Sequence, residues 1–100
     1  MPADTGIETI VLPSAGGPEA VETLRERLLA ALAAGSAVHL DARDLSEPST
    51  ALLQLIEAAA ADFAGRGLAC ALVEPSDALC QTYEDLGLYG ALMSRIVVSA

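Results

Sequence analysis

Apolar and polar residues change their spacing along the chain in a way that separates strands from helices. Four short blocks are rich in β-branched and other apolar residues, as strands are: 7–12, 37–40, 68–73 and 95–99. In the longer segments between them, apolar residues recur every three or four positions, as on one face of an amphipathic helix. The pattern predicts the order β-α-β-α-β-α-β. This is an α/β domain with a small, mostly parallel, four-stranded sheet and helices packed on it.

Residues that favour helix ends mark the limits of the predicted helices. The first begins at Pro18 and ends at Gly35, residues suited to those two positions. The second is expected from 49 to 64, before Gly65, and Ser76 is a suitable N-cap for the third. A short helical or turn segment at 88–93 precedes the last strand. The apolar stripe of the first helix is expected to comprise Val21, Leu24, Leu28, Leu32 and Leu29.

The second strand shows no clean alternation of apolar and polar residues, which predicts that both of its faces are covered. It leads through a charged loop, Asp41 to Pro48, into the second helix. The first N–H groups of a helix are unpaired and carry the positive end of the helix dipole, so a hydroxyl or phosphate is favoured there. We therefore expect this loop and the helix start, Ser49 to Leu53, to form the working surface.

Charge and composition narrow the classes of partner. The 100 residues carry a formal net charge of −9, from five arginines, no lysine and fourteen acidic residues, and only 3% are aromatic. An acidic surface repels phosphate backbones and anionic lipids, which argues against nucleic acid and membrane partners and favours a protein with a basic face. No segment has the pattern of a signal peptide or a membrane span. We expect a single cytoplasmic domain, 1–100, with residues 1–6 flexible.

Residues capable of chemistry do not form a recognisable catalytic or metal site. The acidic residues Asp41, Asp44 and Glu47 match no calcium-loop spacing, and a solvated acidic rim explains them better. The single histidine, His39, lies inside a strand and is interpreted as structural. Cys70 is expected in the core, and Cys80 in the core or half-exposed. We therefore predict no enzyme activity, no metal and no cofactor.

The order of these elements resembles the STAS domain family, which includes bacterial anti-sigma factor antagonists. Five segments carry the resemblance: Leu40-Asp41, then Pro48-Ser49-Thr50-Ala51-Leu52-Leu53-Gln54-Leu55, then Gly65-Arg66-Gly67, Val73-Glu74-Pro75-Ser76 and Asp85-Leu86-Gly87-Leu88. They span nearly the whole chain. Ser49 stands where the family usually has Asp, Thr50 where it has a phosphorylatable Ser or Thr, and Leu52 where it has Gly.

The resemblance implies a non-enzymatic regulatory domain that binds a signalling protein. The implied partner is an anti-sigma factor or kinase with a histidine-kinase-like ATPase fold. Thr50 is the implied phosphoacceptor, with Ser49 as the second candidate. The implied contact surface comprises Asp41, Asp44, Glu47, Ser49, Thr50, Ala51 and Leu53.

Several alternatives stay open at the level of the sequence. Ser49 and Thr50 are also residues that simply cap a helix. The domain is also consistent with a constitutive adaptor in a chemotaxis or transport assembly, without phosphorylation. An α/β fold can also hold a small ligand or nucleotide at the ends of its strands. A homodimer is also left open.

Overall fold

Three strands pair in parallel and in chain order in the computed structural model, which describes residues 6–96. Ile7–Val11 (β1) pairs with Ala37–Asp41 (β2), and β2 pairs with Cys70–Val73 (β3). Four helices complete this part of the chain: Pro18–Ala34 (α1), Thr50–Ala64 (α2), Asp77–Asp85 (α3) and Tyr89–Arg95 (α4). The predicted α/β class and parallel sheet are therefore confirmed.

The helix ends follow the local signals. Pro18 occupies the first turn of α1, and Gly35 ends it in the left-handed conformation at φ 74°. The Ser49 side chain accepts a hydrogen bond from the backbone N–H of Leu52 at the start of α2. Ser76 does the same for Leu79 at the start of α3. Each cap satisfies a donor that the helix leaves unpaired, which fixes where the helix begins.

The hydrophobic core lies between one face of the sheet and the helices. Alternate strand residues point into it, and Val38, Leu40 and Leu72 have no exposed surface. The broad apolar face of α2 supplies the largest share: Leu52, Leu53, Ile56, Ala59, Ala60 and Phe63. The stripe of α1 is narrower than the sequence pattern predicts, because Leu29 is 54% exposed. Its fully buried residues are Leu24, Leu28 and Ala31, and the predicted Val21 and Leu32 also pack against the core while partly buried.

Within the described residues, the other face of the sheet, which we call the open face, is exposed only along β1, at Ile7, Thr9 and Val11. On β3 the same face is buried at Ala71. In β2, buried Val38 and Leu40 alternate with partly exposed Ala37, His39 and Asp41. The expectation that both faces of β2 are covered is therefore confirmed for one face and met only in part for the other. The strands follow one another in chain order, so crossovers of the usual right-handed sense place both connecting helices on the same face.

The described residues do not show the last predicted strand, 95–99. Arg95 is the final residue of α4 rather than the first of a strand. Ile96 makes an isolated parallel bridge to Leu72 of β3. Residues 97–99 lie outside the described residues. Between residues 6 and 96, no helix is both long and apolar enough to cross a bilayer.

Candidate functional site

Three loops meet at the carboxyl ends of the parallel strands: 13–17, 42–49 and 74–76. This end of an α/β sheet is where loops usually build a binding site. Glu47 pairs with Ala15 of the first loop, and the Gly16 N–H donates to the Glu47 carbonyl at 2.8 Å. The loops therefore form one connected surface. Its central part is residues 41–51, which we call the 41–51 surface.

Asp41 fixes the direction in which the chain leaves β2. Its Oδ1 accepts hydrogen bonds from the Arg43 backbone N–H and from Arg43 Nε, both at 3.1 Å. The backbone hydrogen bond and the guanidinium together lower the pKa of Asp41 from its ordinary value of 3.8, despite some desolvation. Asp41 is therefore ionised at neutral pH and serves to shape the turn.

The loop after Asp41 is held firmly from both sides. Leu45 is fully buried, and its carbonyl accepts a hydrogen bond from the Ser76 hydroxyl at 2.5 Å. The N–H groups of Ser46 and Glu47 both donate to the Ser14 carbonyl, at 3.0 and 2.9 Å. A loop anchored in this way presents its exposed side chains in a defined arrangement, which reduces the entropy lost on binding.

Gly16 allows the first loop to approach the second this closely. A Cβ at this position would lie 3.0 Å from Leu52 Cδ2 and 3.2 Å from both the Glu47 carbonyl oxygen and the Ser49 nitrogen. A side chain there would push against the backbone of the 41–51 surface. Gly16 is thus part of the support for the site.

The two adjacent hydroxyl residues have different environments. Ser49 is partly buried, and its Oγ accepts the Leu52 N–H at 3.0 Å, so its side chain is turned toward the helix as a cap. Thr50 is the first residue of α2 and is exposed, as is Ala51. The hydroxyl accessible at the positive end of α2 is therefore that of Thr50.

The exposed charged side chains at this end of the molecule are mostly acidic. Asp44, Glu47, Glu74 and Asp77 are all exposed at this end of the molecule. Arg43 is the only basic residue in the three loops, and its pKa is raised by the hydrogen bond to Asp41 and by the field of Glu74 and Asp44. The exposed charge of the 41–51 surface is therefore mainly negative.

Leu53 was expected in the contact surface but does not belong to it. It has no exposed surface and belongs to the core, because the second residue of an apolar pair in the first turn of α2 still faces the sheet. Its side chain is not available to a partner. Gln54 is the next exposed residue along α2.

The other residues considered for chemistry lie away from this surface. His39 is partly exposed on the open face of the sheet, and Cys70 is buried in β3. Burial raises the pKa of the Cys70 thiol to about 11, so it is neutral and a poor nucleophile. Across residues 6–96, no three His, Cys, Asp or Glu side chains are grouped so as to hold a metal ion.

Two features of the site were missed at the level of the sequence. Glu74 adopts a left-handed backbone conformation at φ 53°, which turns the chain sharply between β3 and Pro75. Ser76 was predicted as a cap, but its second bond, to Leu45, joins loops 31 residues apart. A cap signal is local in sequence, whereas that second partner depends on the tertiary fold.

Comparison of the chain with protein-family models, curated proteins and solved structures finds no match in any of the three.

Proposed function

We propose that the chain is a STAS-like regulatory domain that acts by binding a signalling protein through the 41–51 surface. It carries out no reaction of its own.

In this proposal the fourth strand continues from Ile96 along the free edge of β3. The bridge between Ile96 and Leu72 supports this placement, because it puts the end of α4 beside β3 in the parallel sense.

The observation that carries the proposal is the different placement of Ser49 and Thr50. Ser49 is used as the helix cap, whereas Thr50 is exposed one residue later, at the start of the same helix. A kinase can reach an exposed hydroxyl on a fixed turn. The helix dipole also favours a phosphate at this position. Thr50 is therefore the better candidate phosphoacceptor, and Ser49 is the weaker one.

The partner implied by the family resemblance is an anti-sigma factor or kinase with a histidine-kinase-like ATPase fold. Asp44 and Glu47 supply an exposed acidic rim that favours a basic face on that partner. Asp41 is hydrogen-bonded to Arg43 and shapes the loop that carries them. Ala51 beside Thr50 is small and exposed, so a partner can pack closely against the helix start. A phosphate on Thr50 would bring bulk and about two negative charges into this close contact, and desolvating it would weaken the complex.

The test is affinity capture from the native cell with three matched forms of the domain. Wild type and Thr50→Val are expected to capture the same histidine-kinase-like ATPase, because Val keeps the shape of Thr without the hydroxyl. Thr50→Glu imitates the charge of a phosphate and is expected to lose that partner. Captured proteins are identified by mass spectrometry. Thr50 is then examined for phosphorylation after incubation with the purified ATPase and ATP.

The control for added charge is Ala61→Glu. Ala61 is exposed on α2, about 16 Å along the helix from Thr50 at 1.5 Å per residue. This variant should bind as wild type does. Equal capture by wild type and Thr50→Glu would exclude a switch at Thr50 and leave the constitutive adaptor. A rise in melting temperature with added nucleotide would instead favour a ligand-binding domain.

A further inference from the structure

The outer edge of β1 is free within residues 6–96, because β1 pairs only with β2. The Leu12 N–H donates to the Asp41 carbonyl, so it points toward β2. Backbone groups alternate in direction along a strand, so those of Ile7, Thr9 and Val11 point away from the sheet. Three residues thus offer N–H and C=O groups to a further strand.

This edge lacks the features that usually prevent strand addition. β1 contains no proline, no lysine and no arginine. Its single charged residue, Glu8, is paired with Arg27 of α1 at 3.0 Å, and its side chain is on the face of the sheet that carries the helices. Ile7 and Val11 are each 58% exposed on the open face. The edge is therefore apolar, and local charge does not oppose a second strand.

A cleft of about 720 Å³ runs beside the edge, between β1 and the N-terminal half of α1. Its apolar walls include Ile10, Leu12 and Leu24, and the small residue Ala20 leaves room on the helix side. Glu19 and Arg27 also line the cleft. A strand added to β1 would therefore have a cleft of this size beside it on the helix side.

We propose that a second copy of this chain adds to β1 through its own β1, in the antiparallel sense. The outward-pointing residues read Ile7, Thr9, Val11, which is a self-complementary order. In a two-fold arrangement centred on Thr9, Ile7 lies opposite Val11 of the other copy and Thr9 lies opposite Thr9. Cross-strand pairs of these types stabilise antiparallel sheets. A closed two-fold dimer also leaves no β1 edge exposed.

The charges of the cleft fit the same arrangement. Glu19 lies in the first turn of α1, at the carboxyl end of β1, and Arg27 lies beside Glu8, nearer its amino end. An antiparallel pairing brings the carboxyl end of one β1 beside the amino end of the other. The acidic end of each cleft then faces the basic end of its neighbour. Arg27 also contacts Glu8 of its own copy, so the arrangement places Glu19 of one copy near the Arg27–Glu8 pair of the other.

The size of the surface indicates how tight this dimer is. The pairing uses one five-residue strand from each copy, which is a small contact compared with the roughly 20–30 residues per side of a standard interface. We therefore expect a reversible dimer that dissociates on dilution.

The 41–51 surface lies at the strand ends rather than at this edge, so the dimer would present it twice. The proposal does not depend on the proposed partner.

The test is sedimentation equilibrium of the full chain over a concentration series from micromolar to millimolar. Wild type should show a monomer–dimer equilibrium. Thr9→Pro removes the outward N–H without touching the β1–β2 ladder, so it should weaken association about tenfold or more. Thr9→Val keeps the N–H and the β-branched shape, and should associate as wild type does. If Thr9→Pro lowers the melting temperature, Thr9→Lys replaces it as the test variant. Thr9→Lys keeps the N–H but places two like charges at the two-fold axis, so it should also weaken association.

Charge-reversal variants distinguish an Arg27–Glu19 contact between copies from the Arg27–Glu8 contact within one copy. Arg27→Glu should weaken association, and Glu19→Arg combined with Arg27→Glu should restore it. The Arg27–Glu8 contact is lost in both forms, so recovery reports on the pair between copies. A wild type that is monomeric throughout would overturn the proposal. A dimer that is unaffected by either Thr9→Pro or Thr9→Lys would overturn it as well, because it would use another surface.

Discussion

Three helices are joined at the carboxylate of Glu57, which is hydrogen-bonded to Tyr83 and Arg95. The Tyr83 hydroxyl donates to Glu57 Oε2 at 2.7 Å, and Arg95 donates to both carboxylate oxygens at 3.1 and 2.8 Å. Tyr83 is fully buried, and the other two side chains are less than a quarter exposed. α2, α3 and α4 are thereby held at fixed positions, with Ile96 placed beside β3.

The first prediction concerns the Tyr83 hydroxyl. Tyr83→Phe keeps the buried ring but removes a hydrogen bond to a charged group, and we expect it to lower the free energy of unfolding by about 1–2 kcal/mol. Tyr89→Phe is the matched control, because Tyr89 is 51% exposed, and its effect should stay within about 0.5 kcal/mol. Urea denaturation measures both. Equal stability of the two variants would show that the buried bond contributes nothing.

The second prediction concerns the pH dependence of stability through Glu57. Burial raises the pKa of Glu57, but the hydrogen bonds from Arg95 and Tyr83 outweigh it and hold the pKa below the ordinary value of 4.5. The lowered pKa stabilises the fold above pH 4.5, and this contribution is lost as the pH falls through the folded-state value. The stability difference between wild type and Glu57→Gln should therefore shrink in acid. Urea titrations from neutral pH to about pH 3 test this, and a constant difference would contradict it.

At the scale of elements, Ser76 ties the start of α3 to the loop that carries the 41–51 surface. Its hydroxyl donates to the Leu45 carbonyl and accepts the Leu79 N–H at 3.1 Å. One side chain therefore sets the start of a helix and the position of a loop. Disturbing it should affect both elements together.

The third prediction follows from this double role. Ser76→Ala should lower the free energy of unfolding by about 1–2 kcal/mol, because it removes a cap and leaves the Leu45 carbonyl without its partner. Amide exchange should become faster in the loop 43–49 as well as at the start of α3. Ser94→Ala is the control, since Ser94 is exposed and bonds only within α4. Faster exchange in α3 alone would show that the Ser76–Leu45 bond does not position the loop.

Local signals explain which elements the sequence could predict. Pro18, Gly35, Ser49 and Ser76 act within one turn of their own positions, and all four helix boundaries near them were predicted. The difference between the buried and half-buried faces of β2 could not be predicted in this way, because it depends on which side of the sheet the crossovers place the helices. The burial of Leu53 was missed because the whole helix start, Ser49 to Leu53, was assigned to the contact surface, whereas the helical period turns Leu53 toward the core.

At the scale of the whole molecule, the two proposed contact surfaces are separate. The 41–51 surface lies at the carboxyl ends of the strands, and the β1 edge lies along one side of the sheet. Partner binding and self-association are therefore compatible. The acidic charge is also divided between them, since the strand ends carry several exposed carboxylates and β1 carries only Glu8. A rise in salt should weaken partner binding more than self-association.

The most direct test of the account is a hydrogen–deuterium exchange map of the domain with and without its captured partner. We predict slower exchange in residues 43–51 on binding, with Arg43 and Thr50 inside the protected segment. The amides along β1 and in α4 should be unchanged at a concentration where the domain is monomeric. Protection confined to β1 or α4, with residues 43–51 unaffected, would contradict the claim that this surface binds the partner.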